Sequence, residues 1–443
     1  MTNELSTVLK AYRQLEKAYL SPDKNTDEFL AAVSMFESMT YRLLSTSAND
    51  RLIGFRMIYR LLKQLGTGHK DIVLELDSHS KTMIIGGGIK LNEMVVQYIR
   101  QASGDVIKSY IEKDSLLLSK RIPMSQVISF LPFAFKQAFR CIFNWRRINI
   151  ALTIHELLEI SAVLKYVREN KIEHVYDFFP YEKDSNFMTL ILRAEGVKIT
   201  KNPSPGPLAT HNRILIADTV TVSTPYQLEE LKKFSDTIRV NEYLMWPPER
   251  AFTYYQRYIN HIPAERNTIG FYSHGQWIRK AQAHSDDGVT GIDGESQILV
   301  WLKQLLMEMP EFKLIIFPHP RERHPENIES MKAYYRSKLG EVNYEVITDG
   351  VKTMHALEKV DIAVVLFSTV IYERLFCGYK TLIGNNTIRS FPMNMSPLNN
   401  ICFQNYEGMR KLIIEFADKD EDYFFSKTNL QDYKFTNYKM LGS

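Results

Sequence analysis

Two short runs in the second half of the chain carry residue types suited to holding and releasing a phosphate. In FPHPRERHP the apolar stretch KLIIFP delivers His319 and Pro320 to its carboxyl end, and Arg321, Arg323 and His324 follow within five residues. A proline fixes the backbone beside the imidazole and the guanidinium groups raise the local positive potential, so His319 is placed to donate a hydrogen bond or proton to a departing phosphate. The structural alternative is a strand-end histidine bonded to a backbone carbonyl, with solvated arginines. In VVLFSTVIYERLFCG a buried-strand pattern ends at Ser368-Thr369 and a helical pattern begins at once, offering hydroxyls and N–H groups to an anion. Glu373, on the first turns of that helix, could accept both hydroxyls of a ribose; equally, Ser368 is only a cap and Glu373 a surface residue completing it. A third strand end, NTIGFYS, closes on Ser273-His274-Gly275-Gln276, where a glycine lets backbone approach a phosphate, although a plain strand-to-helix turn explains it nearly as well.

The elements that position these residues alternate. Helical periodicity fills the first 65 or so residues, with Ser6, Thr26 and Asn49 as expected caps. Strand patterns follow at DIVLEL and TMIIGG. From KIEHVYDFF onward strands and helices take turns, which predicts βαβ units and a parallel sheet. The stretch YLMWPPERAFTYYQRYINHIPAERN, with Pro247, Pro248 and Pro263, interrupts them as an interdomain connection. A second series runs from NTIGFYS to KTLIG, including KTMHALEKV as a helix, and KLIIEFADKDEDYFF predicts one terminal helix. The fold class is therefore α/β with two doubly wound domains. The expected divisions are residues 1–66 helical, 67–245 acceptor-side, 246–266 linker, 267–395 donor-side and 396–443 a helical extension. Open parallel sheets bind ligands beyond the carboxyl ends of their strands, which is where the three loops lie.

The pair FPHP and LFSTVIYERLFCG, about 50 residues apart in strand-end loops of a second Rossmann-like domain, resembles the donor half of GT-B glycosyltransferases. It is most similar to those of bacterial capsule and lipopolysaccharide assembly that use CMP-activated sugars, the sialyltransferase-like, polysialyltransferase-like and Kdo-transferase-like enzymes. The resemblance covers residues 267 to 390 and extends to the first half only by architecture. It implies two Rossmann-like domains facing across a cleft. His319-Pro320 would match the family's HP motif and contact the nucleotide phosphate; Ser368-Thr369 would match its Ser-Ser/Ser-Thr motif and hold the donor's phosphate or carboxylate. The family's acidic base motif belongs to the first domain, whereas Asp286-Asp287-Gly288 and Asp349-Gly350 fall in the second, so the match leaves the base unassigned. Transfer to a hydroxyl still needs a proton acceptor. The candidates are Asp177, Glu182 and Asp184 in DFFPYEKDSN, although Asp184 or Ser185 can equally cap the next helix; His155-Glu156 is a weaker rival.

Composition narrows the partners. Against 55 Lys+Arg stand 51 Asp+Glu, and a net +4 spread over 443 residues is no footprint for nucleic acid. Three dispersed cysteines and the lack of a signal-peptide pattern lead us to expect a cytoplasmic protein, with a peripheral membrane contact through residues 125–150, where Lys136, Arg140, Arg146 and Arg147 interleave with aromatics and no acid intervenes. A helix packed on the first sheet with its basic residues outside is the competing account. Gly86-Gly87-Gly88 fails the dinucleotide fingerprint, since Leu91 stands where a third glycine is required. Asp418-Lys419-Asp420 lies in a charged helical stretch and is no metal clamp, so no metal and no cofactor are expected. The expected substrates are a nucleotide sugar, CMP-linked by preference, and an oligosaccharide or lipid-linked glycan acceptor. The competing functions are a CMP-activated polyol-phosphate transferase of teichoic-acid type and a non-catalytic glycan- or nucleotide-binding protein.

Overall fold

The computed structural model describes residues 3–37, 55, 58–59, 73–75, 77, 79–86, 92–111, 124–143, 149–178, 180, 184–203, 214–248, 264–281, 294–348, 356–366, 368–385 and 397–434. Asn49, Gly87, Gly88, Leu91, Arg146, Arg147, Glu182, Pro263, Asp286-Asp287-Gly288 and Asp349-Gly350 lie outside them.

The chain opens with α1 (Asn3–Leu20) and α2 (Asp27–Glu37). Thr26 caps α2 as expected, its Oγ1 accepting the Phe29 N–H at 3.1 Å, whereas Ser6 lies inside α1. The first α/β unit follows as β1 (Val73–Glu75), β2 (Thr82–Ile85), α3 (Asn92–Ser103), β3 (Ile107–Ile111), α4 (Met124–Phe143), α5 (Asn149–Glu169), β4 (His174–Asp177), α6 (Ser185–Ala194), β5 (Lys198–Lys201), β6 (Leu215–Val222), α7 (Pro225–Lys233) and β7 (Ile238–Met245). Its seven strands are ordered β1-β3-β2-β4-β5-β6-β7, parallel except for β1, which pairs antiparallel with β3.

The second unit comprises β8 (Thr268–Tyr272), α8 (Gln276–Ala281), α9 (Gly294–Glu308), β9 (Lys313–Phe317), α10 (Ile328–Leu339), β10 (Tyr344–Val346), β11 (Ile362–Val365), α11 (Val370–Phe376), β12 (Lys380–Gly384), β13 (Cys402–Phe403), α12 (Tyr406–Ala417) and α13 (Glu421–Thr428). Its six strands are all parallel in the order β10-β9-β8-β11-β12-β13, the doubly wound arrangement of a Rossmann domain. The tandem of two such units is the α/β plan of two doubly wound domains that the alternating sequence led us to expect, and it is the arrangement that the GT-B resemblance implies.

Several elements differ from expectation. The short β3 was not anticipated, and neither was β7, whose half-exposed edge pattern sits directly before the Pro247-Pro248 pair that reads as a linker. Within KTMHALEKV the described residues form only a 3-10 turn, Leu357–Lys359. The terminal helix is two helices, because Asp420 turns its carboxylate onto the Tyr423 N–H at 2.8 Å and starts α13 afresh. The sixth strand, β13, comes from the segment read as a helical extension.

Side chains alternate across the strands and fill separate layers. Met83 and Ile85 of β2 join the core under α1, α2, α4, α5 and α6, whereas Ile84 between them faces α3. The largest core surrounds the second sheet. A smaller cluster joins the two units: Tyr98, Tyr176 and Trp246 from the first pack with Leu357, Phe376, Cys377 and Tyr379 from the second. The Tyr98 hydroxyl donates to the Pro247 carbonyl at 2.8 Å, tying the start of the connection to α3. Among the described residues no helix is long and apolar enough to cross a membrane.

Candidate functional site

Strand order locates the crevice of the second sheet. From β8 the chain moves outward through β9 and β10, then returns to the other side of β8 as β11, so the winding reverses between β8 and β11. Crossovers on either side of such a reversal lie on opposite faces of the sheet, which leaves a crevice beyond the carboxyl ends of the two strands. Ser273-His274-Gly275 follows β8 and Ser368-Thr369 follows β11. His319 follows β9, the next strand on the far side of β8. The three runs singled out by residue type thus occupy three adjacent strand ends, with the β8 loop in the middle.

The β8 and β9 loops touch. Gly275 has φ +68°, and a Cβ there would lie 3.3 Å from His319 Cβ and 3.4 Å from Glu322 Cγ, so glycine meets both a left-handed backbone and a close neighbour. His319 Nδ1 accepts the Arg321 N–H at 3.2 Å. That bond assigns the neutral imidazole its proton on Nε2, which makes Nε2 the donor nitrogen. His319, Arg321 and Arg323 are half-buried, and Pro320 and His324 are exposed.

Two carboxylates absent from the sequence expectations anchor these loops. Glu322, fully buried, accepts the His319 N–H at 2.5 Å, the Tyr335 hydroxyl at 2.9 Å and the Trp277 indole N–H. Glu295, in the first turn of α9, accepts the Gln276 N–H at 2.9 Å and the His274 N–H, while its own N–H donates to Gln276 Oε1 at 3.3 Å. The Ser273 hydroxyl accepts the Gly275 N–H at 2.9 Å, and its presence beside the two carboxyls favours their charged forms. Burial, and then the charge of Glu322, pushes the Glu295 carboxyl up to about 7. Burial also raises Glu322, opposed by its bonds from Ser273, His319, Trp277 and Tyr335. An acid inside the basic run FPHPRERHP, and another opening the helix after a polar loop, were the available signals for this pair.

At the end of β11, Ser368 and Thr369 are half-buried. Ser368 Oγ accepts the Val370 N–H at 3.3 Å, and the Thr369 hydroxyl donates to Glu373 Oε1 at 3.0 Å. Glu373 is 3% exposed, so its carboxylate supports Thr369 from beneath instead of lying on the surface.

The first sheet reverses between β2 and β4, and Asp177 ends β4 at that point. Its Oδ2 accepts the Ser185 hydroxyl at 2.6 Å, joining the strand end to the start of α6. Asp184 occupies the N-cap position of α6, is 1% exposed and makes no side-chain capping bond. Beside them sequence reading missed Lys201, fully buried at the end of β5, whose Nζ donates to Asn186 Oδ1 at 2.8 Å. His155 falls in helix α5, as expected. Gly86, with φ +97°, directly follows β2. Among the described residues no group of three or more His, Cys, Asp or Glu side chains converges as a metal site would.

No family model and no curated protein matches the chain. Among solved structures, UDP-GlcNAc 2-epimerase from Neisseria meningitidis bound to UDP-GlcNAc aligns at 11% identity and TM-score 0.45, covering 79% of this chain and 97% of that one. The S. aureus MnaA-UDP co-structure aligns at 13% identity and TM-score 0.44, covering 80% and 91%. The wall teichoic acid polymerase TagF aligns at 11% identity and TM-score 0.40, covering 86% and 92%.

Proposed function

We propose that the chain is a glycosyltransferase that takes a sugar from a nucleotide-activated donor and transfers it to a glycan acceptor. The observation that carries this reading is the contact between Gly275 and His319 beside the reversal of the second sheet, with His319 Nδ1 accepting the Arg321 N–H and Nε2 as the protonated nitrogen of the neutral ring. Backbone of the β8 loop approaches the donor phosphate, His319 and the half-buried Arg321 and Arg323 stabilise the charge that develops as the sugar–phosphate bond breaks, and Ser368 and Thr369 hold the donor from the β11 side. Glu373 orients Thr369. The acceptor hydroxyl gives up its proton to a carboxylate of the loop between β4 and α6. Asp177 is committed to Ser185, which leaves Glu182 and Asp184 for that role. With cations and hydroxyls set at the phosphate, no metal is invoked. A CMP-linked acidic sugar (sialic acid, another nonulosonate or Kdo) is the donor we favour, a bacterial surface glycan the acceptor, and inversion at the anomeric carbon the stereochemical course.

A thermal-shift screen of CMP, UDP, GDP and ADP tests the donor, since binding to the folded state alone raises the melting temperature. Stabilisation by UDP and not CMP overturns the CMP assignment. Unchanged turnover in both His319→Ala and Ser368→Ala overturns the site. Two histidine-bearing loops side by side also suit transfer of a polyol phosphate, and a product that retains the donor phosphate distinguishes that reaction.

The location that goes with this reading is the inner face of a membrane. Helix α4 buries Val127, Phe130, Ala134 and Ala138 in the first core, yet exposes Ile128, Phe135 and Phe139 along an adjacent flank with Lys136 beyond them. The packed-helix account describes the buried side, and the membrane account is our reading of the flank, where Phe55 already meets Phe135 and Phe139. An aromatic flank bordered by cations suits an anionic headgroup layer. Sedimentation with anionic but not neutral vesicles, lost in Phe135→Glu/Phe139→Glu, is the expected result.

A further inference from the structure

We propose that Glu295 and Glu322 are positioning residues that hold the β8 and β9 loops as one unit, so that the placement of His319 depends on a carboxylate that never touches it. This rests on the reading of the loops as the donor-phosphate site and adds the device that fixes their relative position.

The bond pattern carries the inference. Glu322 sits on the β9 loop but reaches back to its own loop's His319 N–H and across to Trp277 on α8 and Tyr335 on α10. Glu295 sits on α9 yet takes both of its backbone donors, His274 and Gln276, from the β8 loop. The Ser273 hydroxyl takes the Gly275 N–H, and Gly275 closes the gap to His319. Four elements, α8, α9, α10 and the β9 loop, thus converge on two acidic side chains, and through them on backbone N–H groups adjoining two histidines.

Two buried carboxylates are a costly way to fill this space. An apolar side chain would pack there without desolvating a charge or setting two like charges against one another. What carboxylates supply, and apolar groups do not, is several acceptors at set directions, each able to take two or more donors. Here those acceptors are spent on the N–H groups of His274, Gln276 and His319, the groups that decide where the loop backbones lie. The Tyr334 and Tyr335 hydroxyls are the other titratable groups coupled to the pair, and the two histidines meet it through their backbone N–H groups.

Histidine Cε1–H resonances of the full-length protein, assigned with His274→Gln and His319→Gln, read this coupling without any substrate. Glu295→Gln is the informative variant because Glu295 bonds only the β8 loop. The expected result is a displaced His319 resonance in Glu295→Gln and a displaced His274 resonance in Glu322→Gln, both larger than any change at His79 or His174. In turnover, a misplacement of this kind lowers kcat by about 10²-fold with little change in KM. Glu322→Asp, which keeps the charge, recovers part of the loss. A His319 resonance that stays put in a folded Glu295→Gln protein overturns the proposal, and if that variant does not fold, an unmoved His274 resonance in Glu322→Gln does the same. Adding CMP to the wild type separates the two readings: if CMP moves neither histidine while the cross-loop displacements are present, the nucleotide assignment fails and the positioning role stands.

Discussion

The two ends of the second sheet treat buried charge in opposite ways. At the amino ends of β11 and β12, Asp361 and Lys380 form an ion pair at 2.6 Å, 1% and 0% exposed, and Lys380 Nζ also donates to the carbonyls of Phe416 at 2.8 Å and Lys419 at 2.9 Å. Beside it the buried Arg374 gives Nη1 to the Tyr272 hydroxyl and the Leu357 carbonyl and Nη2 to the carbonyls of Val360 and Lys380. At the carboxyl ends, Glu295 and Glu322 set like charges together. The first arrangement closes the sheet onto α12 and α13. The second leaves an electrostatic strain that only its grip on two loops explains, and strain of that kind gathers where chemistry is done. On the reading proposed above, stability and function are divided between opposite ends of one sheet.

Breaking the compensated end has the largest expected effect. Lys380→Met leaves Asp361 buried without its cation and should destabilise the protein by about 3–5 kcal/mol in urea unfolding. Lys380→Met combined with Asp361→Leu should recover much of that loss, since no charge then remains uncompensated. Neither protein, while folded, should change in nucleotide affinity.

The strained end responds to pH. With its folded-state pKa raised from 4.5 to about 7, Glu295 binds a proton more tightly in the folded chain than in the unfolded one. Its stabilising contribution is therefore complete below about pH 4.5 and is lost as pH rises through about 7. The difference in unfolding free energy between wild type and Glu295→Gln, measured from pH 5 to 8, should move against the wild type by about 1–3 kcal/mol as pH rises, because each tenfold gain in proton affinity on folding corresponds to roughly 1.4 kcal/mol. A difference that stays flat over this range would place the two carboxylates in an ordinary solvated environment.

Much of this edge was legible in the sequence. KLIIF, NTIGFY and IAVV are too apolar and β-branched to be anything but buried strands, so the placement of His319, Ser273 and Ser368 at strand ends follows from local pattern alone. The reversal between β8 and β11 does not, because strand order is set by long-range packing that no local pattern encodes. The short β3, although mostly buried, and the two-residue β13 were missed for the same reason, and β7 was missed because its half-exposed edge pattern does not alternate strictly. Glu295 and Glu322 were missed for a different reason: an acid in a basic run or at a helix start is spelled the same whether its carboxylate anchors backbone N–H groups or solvates a surface. Asp177 was found by its position, but its bond to Ser185 depends on how α6 meets β4.

Gly275 tests how closely the two loops must approach. Gly275→Ala places a Cβ in a left-handed conformation and against His319 and Glu322, and should cost about 1–2 kcal/mol. Because the displaced atoms belong to the β9 loop, turnover should fall by more than this loss of stability accounts for. Equal losses in the two would mean that His319 has no role at the reacting bond.

The smallest expected effect belongs to Asp420. Its carboxylate caps α13 immediately after Lys419, whose carbonyl receives Lys380, so the cap stiffens the wall against which the buried ion pair is held. Asp420→Ala removes one acceptor for a first-turn N–H and should cost about 1 kcal/mol, read as a lower urea midpoint with an unchanged slope. The residue is far along the sheet from His319, at the edge assigned to stability, so its loss should leave both CMP affinity and the histidine resonances where they are. A change in either would mean that motion at the amino edge reaches the loops through the strands, and the division between the two ends would have to be replaced by a single coupled unit.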